Sequence, residues 1–104
     1  MAPIIRIIVP MSDFVSGLTA ASFTVVAEAY PGLLSRVLEP LAKRNLVPDR
    51  VRSQREGDCL RVELGLDAMP LEMLHLVAGN LGQIVGVKRV EAMEGRRVRL
   101  AVAA

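Results

Sequence analysis

Apolar and polar residues alternate most regularly at 59–66, where Leu60, Val62, Leu64 and Leu66 face one way and Cys59, Arg61, Glu63 and Gly65 the other. A period of two is the pattern of a strand buried on one face. The turn before it, Arg55-Glu56-Gly57-Asp58, carries a glycine and suits a hairpin from a preceding strand at 47–54. Elsewhere the period lengthens to that of a helix. Leu33, Leu34, Val37, Leu38 and Leu41 form one apolar stripe, with Ser35, Arg36, Glu39 and Lys43 largely off it. Leu71, Leu74, Val77, Ala78 and Leu81 form a second. Pro31-Gly32 opens the first helix and Pro70 lies near the start of the second, where a missing N–H costs nothing. Asp67 is the expected cap of the second helix. Pro40, inside the first, removes one backbone bond and predicts a bend.

Two further strands are expected at 22–29 and 85–93. Val87 and Val90 are three apart, which breaks the alternation and suggests a bulge. Alternation returns at 97–102, and residues 4–9 form another candidate strand. From residue 22 the order is therefore β-α-β-β-α-β. Two βαβ-like units joined by a hairpin build an antiparallel sheet with both helices on one face, an α+β ferredoxin-like sandwich. On this reading residues 1–21 are an N-terminal extension that includes a strand, 22–93 are the domain, and 94–104 supply a C-terminal extra strand. The second sheet face is left open, and dimerisation or residues 3–10 and 97–102 are expected to cover it.

With 104 residues the chain has room for one two-layer core. Aromatics are nearly absent: Phe14, Phe23 and Tyr30 are the whole set. The net charge of +2 gives little support for a nucleic-acid or membrane partner. A single cysteine excludes an internal disulfide and fits a reducing, cytoplasmic setting. No window reaches the roughly 18 apolar residues of a membrane span. Arg6 and Pro10 interrupt the apolar run at 3–10, so it does not read as a secretory leader. His75 and Cys59, each the only one of its kind, make no metal or nucleophile constellation. No glycine-rich nucleotide loop occurs at a helix mouth. The chain thus reads as non-catalytic, with no cofactor. Arginines gather at Arg50, Arg52, Arg55 and Arg61, and again at Arg96, Arg97 and Arg99. Solvated strand faces are the ordinary reading, a docking surface for an acidic partner a sharper one. An RNA-recognition sheet would need aromatics on its central strands, which are almost wholly missing.

The run from Val25 to Val37, through Ala29-Tyr30-Pro31-Gly32-Leu33-Leu34-Ser35-Arg36, resembles the opening of an ACT domain. It is most similar to the regulatory small subunit of acetolactate synthase, with its strand, glycine turn and L-S-R-V helix start. The likeness continues at Arg44-Asn45-Leu46-Val47-Pro48-Asp49 and returns between Leu81 and Val90, so it spans 22–93. The resemblance implies a regulatory protein that forms a homodimer or higher oligomer and binds an amino-acid effector between paired domains. It also implies a partner such as the catalytic subunit of acetolactate synthase. The effector loop carries over to Ala29, Tyr30, Pro31, Gly32, Leu33 and Leu34, with Val47 and Pro48 entering the second strand. Backbone N–H groups of Gly32, Leu33 and Leu34 would hold a carboxylate at the positive end of the helix dipole. Branched-chain-responsive relatives commonly have Asn where this chain has Ala29 and Val47, so the groups expected to hold an ammonium are missing. Two alternatives remain open at this point, a stand-alone amino-acid sensor and a ligand-free interaction module.

Overall fold

A computed structural model describes residues 2–8 and 17–95. The elements run β1 (Ile4–Ile8), β2 (Leu18–Glu28), α1 (Leu33–Ala42), β3 (Arg50–Glu56), β4 (Cys59–Pro70), a single 3-10 turn (Leu71–Met73), α2 (Leu74–Gly82) and β5 (Val87–Glu94). The strands form one sheet in the order β1-β5-β2-β4-β3. From β2 onward this is the expected antiparallel ferredoxin-like arrangement. β1 pairs parallel with β5, so the whole sheet is mixed rather than purely antiparallel. The strand expected at 97–102 lies outside the described residues.

Alternation decides what is buried. Phe23, Val25 and Ala27 of β2, Val62, Leu64 and Leu66 of β4, and Val90 and Ala92 of β5 lie on the helix side. They pack with Leu33, Val37 and Leu41 of α1 and Leu74, Val77, Ala78 and Leu81 of α2. Most of each predicted stripe therefore faces the core, the exceptions being Leu34, which is exposed, and Leu71, which lies half-buried in the 3-10 turn ahead of α2. A bulge interrupts the β2–β5 register between Val26 and Ala27, where Lys88 is the extra residue. It matches the irregular spacing of Val87 and Val90.

Several local expectations are corrected. Asp67 does not cap a helix; it is a strand residue whose N–H donates to Asp49 Oδ2 (2.7 Å) and whose Oδ1 accepts from Arg50 Nη1 (2.9 Å). β4 runs on to Pro70 because its pairing with β2 continues to Leu18, so tertiary pairing overrides the local capping signal. Pro31 is not in the first turn of α1; it precedes Gly32, the N-cap. Pro40 is buried and α1 continues only to Ala42, so the lost bond falls in the last turn. The helix then closes with Asn45 at φ 58°, Leu46 N–H donating to Leu41 O (2.9 Å) and Asn45 N–H to Ala42 O (3.1 Å). That pair of bonds is a Schellman motif with Asn in the left-handed position. Finally, residues 4–8 extend the sheet edge beyond β5 instead of crossing the open face, whereas residues 9, 10 and 97–102 lie outside the described residues.

Candidate functional site

The effector loop is shaped by its own sequence. Leu33 N–H donates to Tyr30 O (3.1 Å), and Gly32 sits at φ 90°, ψ −9°. Proline second and a positive-φ glycine third is the chemistry of a type II turn. The turn delivers the chain into α1, where Arg36 N–H donates to Gly32 O (3.1 Å). Of the three donors expected from the sequence, Leu33 is thus already committed. Among the described residues no backbone carbonyl accepts from Gly32, Leu34 or Ser35, which leaves these N–H groups at the exposed positive end of the helix.

Neighbouring groups hold this mouth in place. Ala29 N–H donates to Asp58 O (3.0 Å), and Tyr30 Oη donates to Val85 O (2.7 Å). The Tyr30 ring lies against Gly86, where a Cβ would approach Cε2 to 3.1 Å, and Arg36 stands 5.9 Å from the ring centre. Leu33 points into the core, whereas Leu34 is exposed. Val47, 80% exposed, and Pro48 lie at the other end of α1, where Asp49 N–H donates to Gly65 O (2.8 Å). A helix of ten residues separates the two groups by about 15 Å. Within one copy the predicted site residues therefore form two clusters, 29–34 and 47–48, that do not meet.

A concavity of about 360 Å³ lies on the open face of the sheet. Its floor is Gly65 and its polar lining comes from Ser22, Thr24, Arg50, Arg52, Glu63 and Asp67. Arg50, Arg52 and Arg61 do gather on this face, whereas Arg55 points the other way by strand alternation. Arg61 Nε donates to Glu63 Oε2 (3.4 Å). Sequence reading found the arginines but not Ser22 and Thr24. Their signal is the polar half of the β2 alternation, opposite the buried Phe23 and Val25. This face carries no aromatic side chain among the described residues, since Phe23 is in the core and Tyr30 in the loop.

His75 is exposed on α2, and Cys59 is a free, half-buried thiol at the start of β4. Among the described residues no group of acidic, histidine and cysteine side chains could hold a metal ion, and no helix is long and apolar enough to cross a membrane.

A family model described as an ACT-like domain matches residues 16–97. No curated sequence is similar to this chain. Among solved structures, the ACT domain of a GTP pyrophosphokinase from Chlorobium tepidum superposes with a TM-score of 0.66 at 14% identity, over 81% of this chain and 96% of that one. An uncharacterised protein of Thermotoga maritima gives 0.62 at 21% identity, over 76% and 99%. A homoserine dehydrogenase from Thiobacillus denitrificans gives 0.65 at 15% identity over 76% of this chain, which corresponds to 18% of that enzyme. At these identities the likeness concerns the fold.

Proposed function

This chain belongs to the ACT-like domain family, and from that premise we propose that it is a non-catalytic regulatory module that works as a pair and binds an amino-acid effector where the copies meet. The observation that carries this reading is the separation of 29–34 from 47–48 at opposite ends of α1. Side-by-side pairing would unite them. Among the described residues β3 is an edge strand with every residue exposed and its outer backbone groups unpaired within the sheet. Antiparallel addition of a second β3, centred on Ser53, sets Arg50 opposite Glu56 of the other copy at both ends. The same two-fold brings the Val47-Pro48 end of one copy to the Gly32 end of the other. The open N–H groups of Gly32, Leu34 and Ser35 would then hold the effector's carboxylate.

The loop sequence supports one choice of regulated enzyme. Tyr30-Pro31-Gly32 leading into Leu34-Ser35-Arg36-Val37 resembles the small subunit of acetolactate synthase, so that enzyme's catalytic subunit is the proposed partner, in the cytoplasm. Residues 22–93 would form the regulatory domain, with 1–21 and 94–104 as additions to it. Light scattering should give the mass of a dimer, and Ser53→Pro, which removes an edge donor, should give a monomer. Addition of the dimer should change the activity of a co-purifying synthase. A monomer at every concentration would overturn pairing, and a dimer that binds no synthase of its own organism would overturn the choice of partner.

A ligand-free interaction module is the second reading. It is favoured because Ala29 and Val47 offer no side-chain acceptor for an ammonium, and the Ala29 N–H is already engaged. It predicts a dimer whose melting temperature no amino acid raises.

A further inference from the structure

We infer that Tyr30 is a positioning residue that couples the mouth of α1 to the loop between α2 and β5, so that a change at either is felt at the other. This coupling deepens the effector reading above: only its ligand rests on that reading, and the coupling itself belongs to the free protein. One residue takes part in both segments. The Tyr30 carbonyl accepts from Leu33 N–H (3.1 Å), the bond that closes the turn into α1. The Tyr30 hydroxyl donates to Val85 O (2.7 Å), 55 residues further along the chain.

The ring and the neighbouring backbone hold the same loop. Gly86 has φ 90°, and a Cβ there would stand 3.1 Å from Tyr30 Cε2, so the ring takes the space a side chain would need. Gly86 O accepts from Glu28 N–H (2.9 Å), two residues before Tyr30. Within the loop, Val87 N–H donates to Ile84 O (3.1 Å) and Ile84 N–H to Leu81 O (3.3 Å). The connection from α2 to β5 is therefore short and closed by its own bonds. Val85 is its outward residue, 71% exposed.

The hydroxyl bond matters more as a link than as a brace. An exposed carbonyl such as Val85 O would be hydrated if the phenol were gone, so the bond adds only modestly to stability. Arg36 connects the ring to the mouth. Its guanidinium stands 5.9 Å from the ring centre, within cation–π range, and forms no ion pair among the described residues. Its N–H donates to Gly32 O. A carboxylate on the open N–H groups of Gly32, Leu34 and Ser35 would draw this guanidinium, because a charge-assisted bond is stronger than an exposed cation–π contact. The ring would lose its cation, and the loop it holds would register the change. Coupling of this kind is reciprocal, so a protein partner gripping Val85 would alter the mouth.

The test is amide exchange in the free protein, read at Leu33 for the mouth and Val87 for the loop. Lys43, whose N–H donates to Glu39 O at the far end of α1, is the control. Gly86→Ala, made in the loop, should speed exchange at Leu33 about 2–10-fold and leave Lys43 as in the parent. In a Tyr30→Leu background, which lacks ring and hydroxyl, Gly86→Ala should no longer change Leu33. Tyr30→Phe, the milder variant, should speed Val87 and Leu33 together. An unchanged Leu33 in Gly86→Ala would overturn the coupling. Equal acceleration of all three amides would overturn it too, since a general loss of stability explains that result. Amide shifts on titration with a panel of free amino acids then separate the coupling from the effector reading. Shifts at Gly32, Leu34 and Ser35 should extend to Val85 and Gly86 in the parent and stop short of them in Tyr30→Leu. Mouth shifts that never reach Gly86 would overturn the coupling. No shift with any amino acid would overturn the effector reading, and the exchange result alone would then decide the coupling.

Discussion

Replacing Gly32 by alanine isolates the cost of the turn that opens α1. Its φ of 90° lies where side chains are disfavoured, and a Cβ there would meet no atom within 4 Å. The penalty is therefore backbone strain alone, without a clash. Left-handed geometry costs a non-glycine residue about 1–2 kcal/mol, and the smaller entropy of the unfolded alanine chain offsets part of it. A net loss of about 1 kcal/mol is expected, a fall of roughly 4–8 °C in melting temperature for a domain of this size. Gly79 provides the control. It lies inside α2, its φ is not positive, and its Cβ would also meet nothing within 4 Å. There alanine should stabilise by about 0.5–1 kcal/mol, from helix propensity. The same chemical change thus moves stability in opposite directions at two sites, by about 2 kcal/mol between them. Urea unfolding of both variants beside the parent measures the difference. Asparagine at Gly32, which enters the left-handed region more readily, should lose less than alanine. If Gly32→Ala unfolds at or above the parent midpoint, the turn is not held as described.

Two further substitutions test the core and the site wall. Phe23 is fully buried between sheet and helices, so Phe23→Ala should lose about 3–5 kcal/mol, seen as a collapse of the far-UV circular dichroism transition to low denaturant. Tyr30→Phe deletes the 2.7 Å bond to Val85 O while keeping the ring against Gly86. Its cost should be about 0.5–1.5 kcal/mol, with faster amide exchange at the loop before β5.

The two helices, the hairpin and the glycine turn were legible in the sequence because each is set by nearby residues. Stripes at helical spacing placed α1 and α2, and the period-two run placed the core face of β4. The uneven spacing of Val87 and Val90 marked a real bulge. Asp67 misled for the opposite reason: its capping chemistry is local, but its place in β4 is decided by pairing with β2. The proposed effector-loop residues 29–34 are neighbours in sequence, whereas their relation to Val47 and Pro48 depends on which end of α1 each group occupies.

What the sequence alone determined is the set of elements, their buried faces and the torsion that Pro31-Gly32 imposes, since periodicity and steric preference act over a few residues. Tertiary structure decided the rest. The parallel docking of Ile4–Ile8 on β5 joins segments from opposite ends of the described chain. The hollow over Gly65 exists only because long-range register sets Arg50 and Arg52 of β3 across β4 from Ser22 and Thr24 of β2. Register is a property of two strands at once, and a one-residue slip would turn every one of these polar groups to the other face.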